Sequence, residues 1–190
     1  VETPPRDTIR LRLVNKSAMW DLTGPQTCAL IVQEDLETVI SNLGPDPLRI
    51  GLRGLGKFKR GLASSKKPIG AALLDQSLLA GIGNVYRAEL LFLCGIHPET
   101  PCNRINEDDA EALWDWTVKL LRRGKRLNRI VTIQEEDKEN ISSKSKKRNN
   151  SLYAYKRAGL DCRRCPSEIV ISKLAGRSIW HCPNCQGKND

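Results

Sequence analysis

The sequence predicts an α+β protein: a mainly helical central region, two strands before it, and a terminal β-hairpin carrying four cysteine ligands for one zinc ion. Three observations lead there. Cys162-x2-Cys165 and Cys182-x2-Cys185 are separated by sixteen residues, a spacing at which two knuckles each turn a pair of thiolates toward one tetrahedral metal. Apolar residues recur at helical spacing through the middle of the chain and are interrupted by Gly81-Ile82-Gly83. Residues 8–14, Thr-Ile-Arg-Leu-Arg-Leu-Val, alternate apolar and charged as a half-buried strand does.

The strand at 8–14 is turned by Asn15-Lys16-Ser17, and Ala18 to Leu22 reads as its return partner. Two strands alone make no stable sheet in water, so the pair reads as the end of something larger. Leu36, Val39, Ile40 and Leu43 follow at i, i+3, i+4 and i+7, and Gly44-Pro45 stops this short amphipathic helix. Residues 44–67, rich in Gly, Pro, Lys and Arg, read as loop with one short helix. An apolar helix is expected from Pro68 to about Ala80, with Pro68 in its first turn. Asn84 to Leu93 reads as a second, largely buried helix, apolar except for Arg87 and Glu89. A third runs from about Glu107 to Arg126, with Leu113, Trp116, Thr117, Leu120 and Leu121 as its core face and basic residues in its last turns. Residues 134–150 hold one apolar residue and no aromatic, so they read as a flexible charged insertion, with order resuming at Leu152-Tyr153-Ala154-Tyr155. The expected divisions are 1–32, 33–133, a linker at 134–151, and a zinc ribbon at 152–190.

The 190 residues carry 31 basic and 22 acidic side chains, a formal charge of +9. The excess is clustered. Residues 144–185 hold ten Lys/Arg against Asp161 and Glu168; Arg49 to Lys67 hold seven and no acid; Lys119 to Arg129 hold six and no acid. Such runs suit a polyanion, most often nucleic acid, although a solvated surface also carries them. Seven cysteines leave Cys28, Cys94 and Cys102 unassigned. An odd number, with no apolar leader and no membrane-length run, argues for a reducing cytoplasmic compartment. A monomer without a membrane partner is expected.

A tight Gly-x-Gly turn before Asn84 exposes the first amides of the next helix, where a phosphate can approach and the helix dipole favours it. Asn84 can cap that helix or donate its amide to the same phosphate; a plain turn between packed helices fits the pattern equally. Arg177, in the hairpin between the knuckles, can offer a phosphate or minor-groove edge its five donors, or simply face solvent. Four cysteines complete the metal's shell, so His181, next to Cys182, and His97 read as structural. The four tryptophans are spaced for packing rather than for stacking on bases.

The stretch from Pro68 to Phe92, which includes Asp75-Gln76-Ser77 and Ala80-Gly81-Ile82-Gly83-Asn84-Val85-Tyr86, resembles the helix–two-turns–helix segment of the formamidopyrimidine-DNA glycosylase and endonuclease VIII family. Gly95-Ile96-His97-Pro98 and the ending Arg177-x4-Cys182-x2-Cys185-Gln186 are similar too, and Leu43-Gly44-Pro45-Asp46-Pro47-Leu48 resembles the endonuclease VIII branch. The resemblance covers about residues 8–133 and 152–186. It implies a helix–two-turns–helix domain, a structural zinc hairpin, and strands left from an N-terminal β-sandwich. The implied function is base-excision repair: bending damaged double-stranded DNA and flipping the lesion, oxidised bases fitting the endonuclease VIII branch. The family's phosphate-contacting residues correspond to Asn84 and Arg177, with Lys66, Lys67 and Arg87 as further candidates in the same basic groove.

Family chemistry implies an N-terminal proline that forms a Schiff base with the damaged nucleotide's sugar, an adjacent glutamate, and a lysine in the N-terminal β-domain. This chain begins Val1-Glu2-Thr3-Pro4-Pro5, so no catalytic residue is carried over. The expectation is a truncated form, catalytically impaired, of a bifunctional glycosylase and abasic-site lyase. A DNA-binding module without catalysis is the first rival, and a zinc-ribbon RNA-binding or ribosomal protein the second.

Overall fold

A computed structural model describes residues 4–25, 27–49, 52–137 and 151–187. The chain divides into two compact units, residues 1–40 and 41–190. In the first, β1 (Ile9–Val14) pairs antiparallel with β2 (Met19–Thr23), Leu13 lying opposite Trp20 and Leu11 opposite Leu22. Asn15 builds the turn, its side-chain oxygen accepting from the backbone N–H groups of Ser17 and Ala18 at 2.9 and 2.8 Å. On the other face Arg12 bonds Asp21 at 2.7 Å. Helix α1 (Gln33–Ser41) forms where the periodicity predicts, yet Leu36, Val39 and Ile40 stay exposed. Two strands and one helix are too small to bury a core.

The second unit holds one apolar core shared by its helices and the terminal hairpin. Helix α2 (Leu52–Ala63) is a full three turns where mostly loop is expected. Its glycines permit close packing: a Cβ on Gly54 would stand 2.4 Å from the Trp114 ring, and one on Gly61 2.5 Å from Leu78. Helix α5 (Glu107–Leu127) begins with Asn106, whose side chain accepts from the Asp109 N–H at 2.7 Å, and it buries Ala110, Leu113, Trp114, Thr117 and Leu120. Trp114 therefore replaces Trp116 in the expected core face, because α2 opens a slot for it and Phe58 meets it at 6.0 Å. Trp116 sits half-buried at the edge, with the Lys119 ammonium 4.2 Å above its ring.

The helix expected from Pro68 to Ala80 is a single turn, α3 (Ile69–Ala72), and Pro68 precedes it rather than starting it. Asp75 is the reason. Its carboxylate accepts from the Ser77 N–H and Oγ–H at 3.0 and 2.6 Å, and this local bond competes with helix continuation. Gln76 then holds the next turn, donating to the Ile82 carbonyl and accepting from the Gly81 N–H, both at 2.9 Å. Gly81 has φ +91°, a conformation that excludes ordinary side chains.

Helix α4 (Asn84–Leu93) is buried from Arg87 onward, as its composition predicts. Glu89, fully buried, accepts from the backbone N–H groups of Tyr153, Ala154 and Tyr155 at 2.6, 2.8 and 2.8 Å and from the Thr132 hydroxyl. It thereby fastens the start of the terminal region to the helices. Phe92 stacks on Tyr153 at 4.8 Å beside it. The hairpin follows as β3 (Val170–Leu174) and β4 (Arg177–His181), with Leu174 opposite Arg177.

Of the expected flexible insertion, residues 135–137 form a short 3-10 turn that buries Asp137, and Gln134 before it is buried as well, while Glu135 and Glu136 stay exposed. Asp137 is buried, accepting from the Tyr153 hydroxyl and from Arg164 at 3.0 Å. Burial works to raise the Asp137 carboxyl, but these bonds outweigh it and hold it below the usual carboxylate range. Residues 138–150 lie outside the described residues.

Replacing Glu89 with Ala strands the N–H groups of Tyr153 and Ala154, both buried, and of half-buried Tyr155, and the expected loss is about 3–5 kcal/mol of stability. Urea unfolding of the metal-loaded chain checks this; a loss below about 1 kcal/mol would show that the clamp contributes little.

Candidate nucleic-acid interface

The turn Gly81-Ile82-Gly83 delivers α4 with its first amides outward, and a Cβ on Gly83 would meet nothing within 4 Å. Asn84 is the first helical residue; Gly83, in extended conformation, is the cap, and no side chain bonds the helix end. The Asn84 amide instead donates to the Ser178 carbonyl at 3.1 Å. Arg87, one turn on, donates to that same carbonyl at 3.0 Å, to the Asn84 side-chain oxygen, and to the Gly70 carbonyl at 2.8 Å. Ser178 follows Arg177 at the start of β4, just past the left-handed pair Ala175-Gly176 that makes the hairpin turn. Asn84 and the Arg177 segment, ninety-odd residues apart in the chain, thus meet at one carbonyl.

The sequence reading puts Arg87 in the groove itself, and the structure corrects it. Arg87 is fully buried and its two terminal nitrogens donate to three acceptors of α3, α4 and β4, so it lies behind the surface and orients Asn84 and the hairpin. Burial, with the Arg177 charge nearby, pushes its guanidinium down to about 10. Arg177 is half-buried and Lys66 and Lys67 are exposed. The Lys67 ammonium stands 3.8 Å from Asp75, the carboxylate held by Ser77. Asp75-Gln76-Ser77 is also the segment that fixes the Gly81 turn, so Lys67 joins the Asn84 end of the interface through one tripeptide. Ser178 and Gln76 are the parts sequence reasoning missed; each acts through a single directional bond that leaves no periodic or compositional trace.

The Cys162, Cys165, Cys182 and Cys185 sulfurs lie within 4.8 Å of one another, the only such metal-binding group among the described residues. Cys165 and Cys182 are 3.4 Å apart and Cys162 and Cys185 3.8 Å. The N–H groups of Arg164 and Cys185 each reach a sulfur at 3.4 Å. His181 stands outside the group with its ring edge-on to His97, centroids 5.0 Å apart, and burial lowers its basicity. The cluster is braced by Gln186, which accepts from the Cys182 N–H and donates to the Ile96 carbonyl, both at 2.9 Å. A cavity of about 750 Å³ is lined by residues of 94–106 with Asp109 and Gly187, away from Asn84, Lys67 and Arg177. No helix among the described residues is long and apolar enough to cross a membrane.

This geometry matches known proteins. The family profile described as the formamidopyrimidine-DNA glycosylase H2TH domain matches residues 43–135. Endonuclease 8 1 of Mycobacterium tuberculosis (strain ATCC 25618 / H37Rv) is 38% identical over 182 residues, 96% of this chain and 67% of that protein. Formamidopyrimidine-DNA glycosylase of Streptococcus pyogenes serotype M3 is 35% identical over 166 residues, 85% of this chain and 58% of its own length. Among solved structures, the Lactococcus lactis formamidopyrimidine-DNA glycosylase non-covalently bound to DNA containing an AP site aligns with a TM-score of 0.73 at 28% identity, covering 99% of this chain and 68% of that one. The MutM (Fpg) protein of Thermus thermophilus aligns at 0.72 and 28%, covering 98% and 71%. Judged by these relatives and by its own four-cysteine hairpin and glycine turn, the chain belongs to the formamidopyrimidine-DNA glycosylase and endonuclease VIII family of DNA repair glycosylases and abasic-site lyases.

Proposed function

We propose that this chain is the DNA-gripping part of a base-excision glycosylase and abasic-site lyase, and that it holds damaged duplex between the α4 turn and the hairpin tip. The observation that carries the reading is the meeting of Asn84 and the Arg177 segment at the Ser178 carbonyl. One donor site comes from a helix start and one from a rigid hairpin, so a backbone phosphate can be approached from two sides. Lys67 extends the same face. That relatives are named as glycosylases, and that one is described with abasic-site DNA, supports duplex over RNA.

The four sulfurs fit a single structural zinc. A Zn–S bond of about 2.3 Å places tetrahedral sulfurs about 3.8 Å apart, close to the separations of 3.4 and 3.8 Å. Four thiolates leave no open position for substrate. When bound, the metal supplies rigidity: the hairpin that presents Arg177 is tied at its base by the knuckles and by Gln186.

A non-catalytic DNA-binding module is the second reading, because the residues that meet at the Ser178 carbonyl can grip a phosphate but supply no nucleophile. Borohydride trapping on duplex with one abasic site separates the two. A covalent adduct establishes Schiff-base chemistry in this chain; its absence, with binding intact, leaves a DNA-holding module.

For either reading, Arg177→Ala and Asn84→Ala each weaken binding to an abasic-site duplex by about 10- to 100-fold, the range for a lost bond to a charged group. Affinity falls steeply with salt, and Arg177→Ala makes that slope shallower by about 1. Titration across a salt series decides it, and a curve flat in salt or indifferent to both substitutions refutes the interface. Removing the metal with a strong chelator is expected to melt residues 152–186 and abolish binding. Full binding by the metal-free chain would show that the hairpin is no contact element.

A further inference from the structure

The run from Arg49 to Lys67 holds seven basic residues and no acid, and the interface above uses only its end. Within α2, Arg53, Lys57 and Arg60 stand at i, i+4 and i+7, on one face of the helix. All three are exposed, and none forms an ion pair among the described residues. Lys59 behaves differently: it turns to α5 and bonds Glu107 at 3.2 Å and Glu111 at 2.6 Å. The helix is anchored from beneath by Phe58 and Leu62, both buried, so the cationic row sits on a fixed support.

Lys57 and Arg60 open onto a recess of about 400 Å³ completed by Gly61, Ser64, Ser77 and Leu78, with no acidic residue in its lining. Ser77 connects it to the interface. Its N–H and hydroxyl bind Asp75, Asp75 faces Lys67, and Gln76 between them holds the turn leading to Asn84. One tripeptide therefore borders both sites.

We propose that the α2 row of Arg53, Lys57 and Arg60 is a second phosphate track, which takes the backbone of duplex flanking the segment gripped by Asn84 and Arg177. The proposal rests on the duplex-gripping reading. The row's form suits a polymer better than a small anion: from Arg53 to Arg60 it extends about 10 Å along the helix axis, a length over which duplex DNA presents about six charges. Continuity with the Asn84 turn favours duplex over an acidic peptide as the occupant.

The test uses the full, metal-loaded chain and two abasic-site duplexes: a short one that just fills the Asn84–Arg177 site, and the same one extended by a helical turn at each end. The variant Arg53→Gln/Lys57→Gln/Arg60→Gln removes only exposed side chains, and its thermal midpoint checks that it folds. The unmodified chain is expected to bind the extended duplex more tightly and with a steeper salt dependence. The triple variant is expected to lose that advantage, its slope on the extended duplex becoming shallower by about 2–3, while its affinity for the short duplex stays the same. Lys59→Gln serves as a control that leaves both curves in place. An unchanged extended-duplex curve overturns the track and leaves the α2 face to an acidic protein partner; equal loss on both duplexes overturns it as well. Asn84→Ala on the short duplex reads the gripping site alone, so a failure of that site is seen separately from a failure of α2.

Discussion

Everything in the larger unit depends on α4 carrying two buried side chains of opposite charge two residues apart. Arg87 reaches the Gly70 carbonyl of α3 and the Ser178 carbonyl of β4; Glu89 collects the N–H groups of 153–155 and the Thr132 hydroxyl. Burying either group uncompensated would cost several kcal/mol, so each fixes its partners' positions far more tightly than an apolar contact of equal size. The helix thereby sets where the hairpin begins and where its tip lands. The distance between Asn84 and Arg177 follows from that arrangement rather than from either loop.

The rest of the interface is built by small residues and short turns. Gly81 supplies a backbone angle that other residues resist, and Gly83 leaves the first amides of α4 uncovered. Gly70 lets the hairpin approach: a Cβ there would stand 2.8 Å from Leu174 and 3.1 Å from Ile179. Tyr155 and Trp180 meet edge-on at 4.7 Å on the other side of the hairpin. The tip is thus held by packing and by the sulfur cluster at its base, and a rigid tip loses little freedom when it meets a phosphate.

Much of this was legible in the sequence. Cysteine spacing alone located the sulfur cluster, because two knuckles and a short hairpin leave few alternatives. Helices α4 and α5 followed from apolar periodicity that their surroundings reinforce. The failures share one physical cause: a specific side-chain bond or shape overrode an average preference. Asp75 and Ser77 ended α3 after one turn in a stretch whose apolar residues favour helix. Trp114 took the core position expected of Trp116 because Gly54 leaves it room. Gln134 and Asp137 joined the fold out of a segment of disordered composition because Tyr153, which donates to Asp137 and accepts from the Gln134 N–H at 2.9 Å, presents a partner to each. Arg87 read as surface charge because composition says nothing of which carbonyls surround a residue.

Arg87 also shows why charge counted along a chain is not charge offered to a ligand. Arg157 is nearly as buried and donates to the Tyr153 and Asp161 carbonyls; Arg163 donates to the Leu152 carbonyl. Each of these three arginines directs donors to backbone oxygens, which a planar guanidinium group can reach at more than one point. Their positive charge adds to the potential around the hairpin. A polyanion therefore meets two classes of cation. Buried arginines set the geometry and the background field, while exposed residues such as Lys67 can move to meet a phosphate. The lysines suit that second role through long flexible stems, and they are what an exposed run such as Arg49–Lys67 contributes beyond its formal charge.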